Sequence, residues 1–342
     1  MLVEKKQKKA IEKSMFQIKL KNNKIFNCDK DLTIFEAAKK NNITLEHSCL
    51  NSRCRSCMVK VLSGKTINRE EELVLTKDDK DENFVLSCNA KPLSDLELDV
   101  EDLGEIIFYD KKIIPSKINN IKNLTDEVLK ITLRIPPNSN FRFNSGQYIN
   151  IIKGDLIRSY SIANNSDHKN KLDFFIKRYQ NGLMSKYLFE DAKINDLLRI
   201  EGPIGTFFFR DSDLENILFL ATGTGIAPIK SIIEGLEKSH EQYQNKIFWI
   251  FVGARFKEDL IWEPSSDKLN IKYIPVLSRQ EKDWEGEKGY VQNIVLNQQI
   301  DLENTQVYAC GSNNMINSAK DLFIKNNLKE VNFFSDAFVQ TN

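Results

Sequence analysis

Four cysteines constrain this chain more than any other feature. Cys49, Cys54 and Cys57 are spaced C-x4-C-x2-C, and Cys88 follows in Leu86-Ser87-Cys88. That spacing suits a 2Fe-2S cluster: two irons take four thiolates, and a short loop can supply three of them. The fold must then return a distant segment carrying the fourth. Zinc is the competing reading, because Cys54 and Cys57 alone form C-x-x-C. A zinc site usually joins two close pairs, however, and Cys88 has no close partner. A Rieske centre needs two histidines, and the chain holds only His47, His168 and His240. His47, beside the loop, reads as a surface residue, and Cys28 as an ordinary strand or turn thiol with no motif around it. Six cysteines are too few for a disulfide scaffold.

Length and charge narrow the class. At roughly 150 residues per domain, 342 residues suggest two or three domains. Forty-nine basic against forty-eight acidic side chains leave a net charge of +1, which gives no reason to expect nucleic acid or an anionic membrane as partner. Apolar runs such as Ile217–Ala221 and Ile247–Ala254 fall far short of the ~20 residues that span a bilayer. The lysine-rich stretch from Met1 to Ser14 has no apolar core and does not read as a secretory signal. The expectation is a cytoplasmic protein.

Around the cysteines the pattern predicts a small β-grasp domain. Phe16, Ile18 and Leu20 alternate with polar residues, as do Leu96, Leu98 and Val100. Asp31 and Thr33 offer caps for a helix whose Ile34, Ala37 and Ala38 share a face. Met58 to Leu62 reads as a strand leaving the cysteine loop. Ser63-Gly64-Lys65-Thr66 superficially resembles the end of a P-loop, but Val59 stands where the motif requires glycine.

The next hundred residues change rhythm. Short strands around Leu129–Ile135 and Tyr148–Ile152, separated by turns, suggest an antiparallel barrel. Within it stands Arg158-Ser159-Tyr160-Ser161. Further on, Gly182-Leu183-Met184-Ser185 opens a helix expected over Met184–Glu190, and such a helix start can receive a phosphate. Arg158 would add charge-assisted bonds to a pyrophosphate, Tyr160 could cover an aromatic ring system and Ser161 could hydrogen-bond to it.

From Leu214 onward, strand and helix alternate, which predicts a doubly wound parallel sheet. Ile217–Ala221 runs into Thr222-Gly223-Thr224-Gly225-Ile226-Ala227-Pro228 and a helix to about His240. The Gly223-x-Gly225 turn then sits at the carboxyl end of the first strand, where dinucleotides bind. Pro228 replaces the third glycine of the usual fingerprint. Further strands are expected at Lys246–Gly253, Ile271–Leu277, Gln306–Ala309 and Val331–Phe334.

Taken in order, these segments resemble the ferredoxin–NADP reductase superfamily, in the form that carries an N-terminal plant-type ferredoxin. The resemblance covers residues 15–340 and implies an α+β and α/β multidomain protein: a basic tail (1–14), a 2Fe-2S β-grasp ferredoxin domain (15–107), an antiparallel FAD-binding β-barrel (108–212) and a doubly wound NAD(P)-binding domain (213–342). It implies that Cys49, Cys54, Cys57 and Cys88 hold the cluster, and that Arg158, Ser159, Tyr160, Ser161, Gly182, Met184 and Ser185 hold FAD, with Ser161 near its reactive nitrogen. Gly223, Thr224, Gly225 and Pro228 correspond to the nicotinamide-dinucleotide loop. Cys310-Gly311 matches a pair near the nicotinamide ring, and Ser161 and Cys310 are the implied catalytic residues. A buried strand thiol is the alternative for Cys310. The family's proline after that pair is Ser312 here.

The implied activity is NADH-dependent electron transfer from NADH through FAD to 2Fe-2S and on to a partner enzyme. Two subgroups compete. One serves multicomponent oxygenases. The other resembles CDP-6-deoxy-glucoseen reductases, which feed a pyridoxamine-phosphate dehydrase of 3,6-dideoxysugar synthesis. The stretch Leu86–Leu98 and the ending Phe333-Phe334-Ser335-Asp336-Ala337-Phe338 favour the second. In a third reading the ferredoxin part is only a docking module on a flavin reductase. In Arg255-Phe256-Lys257-Glu258-Asp259, the acidic pair opposes a ribose phosphate, so NADH is expected over NADPH.

Overall fold

The computed structural model describes residues 14–104, 106–167, 170–279 and 283–338. The expected basic tail, apart from Ser14, and His168 lie outside the described residues. The chain divides into two compact units, residues 1–106 and 107–342.

The N-terminal unit contains β1 (Met15–Leu20), β2 (Ile25–Asp29), α1 (Ile34–Lys40), β3 (Met58–Ser63), β4 (Thr66–Asn68), α2 (Lys77–Asp81), β5 (Phe84–Leu86), β6 (Ala90–Pro92) and β7 (Leu96–Asp99). Five strands form one mixed sheet in the order β2-β1-β7-β3-β5, with β1 and β7 parallel, and β4 pairs with β6. Helix α1 is too short to persist alone. It is held by Ile34, Ala37 and Ala38, which pack on Ile18, Leu20, Leu96 and Leu98 of the sheet. Thr33, rather than Asp31, caps it, in a reciprocal box with Glu36.

The C-terminal unit begins with β8 (Lys112–Asn123), β9 (Val128–Arg134), β10 (Tyr148–Lys153), β11 (Leu156–Ser161), β12 (Lys171–Lys177), α3 (Leu183–Lys186) and β13 (Leu197–Ile204). Its strands form an antiparallel sheet ordered β11-β10-β13-β8-β9-β12. The two edge strands approach through an Ile162–Phe174 bridge, which curls the sheet toward a barrel. The helix expected over Met184–Glu190 is instead α3 followed by a π-helical turn, Tyr187–Asp191, in which Ala192 N–H bonds the Tyr187 carbonyl.

The second half holds β14 (Asn216–Thr222), α4 (Ile226–Leu236), β15 (Ile247–Ala254), β16 (Asn270–Leu277), β17 (Glu287–Lys288), α5 (Val291–Asn297), β18 (Thr305–Gly311), α6 (Asn313–Lys325) and β19 (Phe333–Ala337). All six strands run parallel, in the order β17-β16-β15-β14-β18-β19. Strand β14 shows why both faces are covered: Ile217, Phe219 and Ala221 pack with residues of α4, while Leu218 and Leu220 pack with those of α5 and α6. Val331, expected in the last strand, lies in a 3-10 turn before it and is exposed. One apolar cluster, which includes Ile232 of α4, joins Val128 of β9 and Phe175 of β12 in the curled sheet to Ile217 of β14 and Phe248 of β15 in the parallel one, so the two sheets share a core.

Candidate redox sites

The cysteine loop is shaped by backbone that L-residues adopt reluctantly. Leu50, Ser52 and Arg55 have φ of 53°, 61° and 61°. These turns aim main-chain donors at sulfur. The N–H groups of Asn51 and Arg53 point to Cys49 Sγ at 3.5 and 3.4 Å, and that of Cys49 points to Cys54 Sγ at 3.4 Å. Arg55 anchors the loop by donating to Asp79 Oδ1 (2.8 Å) and to the Val74 carbonyl (3.2 Å). Pairing of β3 with β5, Met58 opposite Leu86, sets Cys57 beside the segment carrying Cys88, and their sulfurs lie 3.2 Å apart.

All six cysteines are free thiols. The three loop sulfurs and that of Cys88 fall into two pairs, Cys49 with Cys54 and Cys57 with Cys88. In each pair the buried thiol donates to its half-buried neighbour. That donation draws the Cys49 and Cys88 thiols down to about 7, and drives those of Cys54 and Cys57 well above the ordinary thiol range. Among the described residues, no three or more potential ligands converge as a single-ion site. A dinuclear cluster asks for two thiolates per iron and N–H donors to sulfur, and the arrangement fits it. His47 is half-buried. Its ring packs on Phe35 with centroids 4.8 Å apart, and Nδ1 meets the Leu45 carbonyl at 2.9 Å. Cys28 is fully buried in β2, with Sγ facing the Leu32 and Thr33 carbonyls. Burial, then Asp29 and Glu36, push its thiol up to about 12.

In the curled sheet, β11 carries Arg158 to Ser161 opposite Ile151 to Tyr148 of β10. Tyr160 packs against the barrel core, and burial raises its phenol. Ser161 is buried, Ser159 donates to Asn150 Oδ1 at 2.8 Å, and Arg158 Nη1 folds back on the Ile157 carbonyl. Gly182 is the N-cap residue before α3, and a Cβ there would crowd Ser185 and Tyr179. Ser185 Oγ accepts the Tyr179 N–H at 2.8 Å and closes the turn, which leaves its hydroxyl proton to donate. Met184 is 1% exposed and belongs to the barrel core, so only its backbone could meet a cofactor.

At the end of β14, Gly223 takes φ +56° and Gly225 passes so close to β18 that a Cβ would sit 2.3 Å from the Cys310 carbonyl oxygen. Gly311, at φ +140°, would likewise drive a Cβ to 2.2 Å from Thr222 Oγ1. Thr224 and Pro228 are buried; Pro228 lies in the first turn of α4, where its missing N–H costs no helical bond. Cys310 is fully buried in the cluster that includes Ala221 and Ile226, and burial, reinforced by Asp336, drives its thiol well up. Ser312 caps α6 by accepting the Met315 N–H at 3.3 Å, and donates its own N–H to Thr222 Oγ1 at 3.2 Å. A proline there could not donate. Sequence reasoning missed this clasp because its partners are 90 residues apart.

Residues 18–93 match the 2Fe-2S iron–sulfur cluster binding domain family, 115–209 the oxidoreductase FAD-binding domain and 219–321 the oxidoreductase NAD-binding domain. With these three domains in one chain, the protein belongs to the ferredoxin reductase-like iron–sulfur flavoprotein reductases. It is 40% identical over 316 residues to the CDP-6-deoxy-L-threo-D-glycero-4-hexulose-3-dehydrase reductase of Yersinia pestis, spanning 92% of this chain and 95% of that one. It is 30% identical to the phenol hydroxylase P5 protein of Acinetobacter pittii, over 91% of this chain and 90% of the relative. A solved structure described as the ferredoxin reductase in carbazole 1,9a-dioxygenase shares the fold, with a TM-score of 0.67, 22% identity and coverage of 95% and 98% of the two chains. Among the described residues, no helix is long and apolar enough to cross a membrane.

Proposed function

We propose that this reductase delivers electrons from NADH to a pyridoxamine-phosphate dehydrase acting in 3,6-dideoxysugar synthesis. One observation carries the reading: the 40% identity to the Yersinia dehydrase reductase extends over nearly the whole of both chains. In this reading three functional domains follow one another at residues 15–107, 108–212 and 213–342. Cys49, Cys54, Cys57 and Cys88 hold the cluster, with the N–H groups of Asn51 and Arg53 supporting Cys49. Arg158 binds the FAD pyrophosphate together with Gly182, Ser185 and the backbone of Met184. Ser159 fixes the strand through Asn150, Tyr160 covers the flavin and Ser161 lies beside its reactive nitrogen. Gly223, Thr224, Gly225 and Pro228 receive the dinucleotide, while Cys310 and Gly311 shape the nicotinamide end. When bound, the flavin turns a two-electron hydride into the single electrons that a 2Fe-2S centre accepts.

The competing partner is an oxygenase component, favoured by the 30% identity to the phenol hydroxylase protein. Coupled assays with the Yersinia dehydrase and with a phenol hydroxylase oxygenase separate the two. NADH-dependent turnover of the dehydrase alone is expected, and turnover of the oxygenase alone would refute the reading.

A further inference from the structure

A groove of about 540 Å³ runs beside the cysteine loop, and Cys88 forms part of its wall. Phe35 and Leu50 give it an apolar side, and Leu50, held at positive φ by the loop, is 41% exposed. Lys39, Lys40 and Arg69 give it a basic side. Arg69 is neutralised by its fork on Glu36, the only acidic residue in the lining. Lys39 and Lys40 close α1 at its carboxyl end and form no ion pair with any described residue. The groove therefore keeps two uncompensated positive charges, although the chain as a whole is balanced at +1.

We propose that this groove is where the electron-accepting partner enzyme docks, through an acidic surface element that pairs with Lys39 and Lys40 and an apolar residue that rests on Leu50 and Phe35. The inference rests on the assignment of Cys88 as a cluster ligand and extends the dehydrase reading. Electron transfer weakens steeply with distance, so a productive docking site must include an accessible edge of the ligand set. The groove supplies that edge in Cys88. A half-apolar site with charge at one side is the composition of a transient protein interface, in which charge steers encounter and the apolar contact sets register. NADH is the reductant, and the partner's oxidised acceptor takes the electrons one at a time.

The test uses the full-length holoprotein with Lys39→Glu and Lys40→Glu combined, and the paired alanine variant as a milder control. Iron and flavin content, NADH–ferricyanide activity and the rate of cluster bleaching by NADH should match the parent. In the coupled assay with the Yersinia dehydrase, its KM should rise by about fivefold or more, with kcat at saturation retained and the salt dependence flattened. An unchanged KM would overturn the proposal. So would slower cluster bleaching, which would make the chain's own flavin-bearing unit the occupant. If the parent protein transfers nothing to the dehydrase, the dehydrase reading fails, and the groove is judged with small probes. The charge reversal should then lower, by about tenfold, the ratio of cluster reoxidation rates by tris(oxalato)cobaltate(III) and hexaamminecobalt(III); an unchanged ratio overturns the groove assignment by itself.

Discussion

The side chain of Thr222 accepts the backbone N–H of Ser312 at 3.2 Å, tying the end of the first parallel strand to the cap of the last long helix. Gly225 and Gly311 fill the space beside this clasp, and neither tolerates a Cβ. The glycine turn after β14 is thus built by two segments, about 90 residues apart in sequence, pressed together.

Gly225→Ala and Gly311→Ala should each force that contact apart. At Gly225 the new Cβ would overlap the Cys310 carbonyl. At Gly311 it would add a backbone strain of about 1–3 kcal/mol at φ +140°, so both variants should melt earlier and oxidise NADH poorly while retaining flavin. Thermal unfolding and flavin content of the purified variants decide it, and full NADH oxidation by Gly225→Ala would contradict the packing argument.

Five of the six cysteines lie in the N-terminal unit, and four of those five are the assigned cluster ligands. Serine at position 49, 54, 57 or 88 should abolish or severely destabilise the cluster. Cys28→Ser should keep it, because Sγ faces the carbonyls of Leu32 and Thr33. Cys310 stands apart, fully buried in the C-terminal unit. Iron and sulfide analysis of the variants checks this. Retention of both irons in Cys88→Ser would break the pairing described above.

Acid stability of the N-terminal unit should depend on Glu36. The Arg69 hydrogen bond, with the Thr33 contacts, lowers its carboxyl from an ordinary 4.5 to about 2. A depressed folded-state value means that the stabilisation is complete above 4.5 and disappears as pH falls from there toward 2. The pair is partly exposed, so the contribution is modest. Unfolding measured against pH should show a smaller acid slope for Glu36→Gln than for the parent; identical slopes would remove Glu36 from the account.

Nucleotide preference should favour NADH. After β15, Arg255 and Lys257 are exposed, but so is Glu258. Asp259 is turned inward, accepting the Phe256 N–H at 3.3 Å, so the opposition to a ribose phosphate falls on Glu258 rather than on the acidic pair. Comparing kcat/KM for the two nucleotides tests this, and Glu258→Gln should narrow the gap.

Much of this was legible because it is local. The cysteine spacing, the alternation in β1 and β7 and the glycine turn after β14 each lie within a short window. Strand β8 is hard to read in the sequence because it contains Pro115, and a proline normally demotes a strand. It is tolerated because β8 pairs with β13 alone as far as Ser116, and gains its second neighbour, β9, only from Lys117 onward. The packing of Phe35 on His47 is not legible, because nothing nearby in sequence announces it. Met184 reads as a ligand from its motif, whereas its side chain completes the barrel core. The groove by Cys88 joins α1, the cysteine loop and Arg69, which only the folded sheet assembles.

The central claim is that electrons enter through the C-terminal unit and leave through the cysteine-bearing one. A chain shortened to begin at Ile107, the start of the second compact unit, tests it most directly. The account predicts that this protein binds FAD, is bleached by NADH near the intact rate and reduces ferricyanide, yet gives no turnover of the partner dehydrase. Partner turnover at the intact rate would contradict the account, because the exit would then lie outside the cysteine-bearing unit.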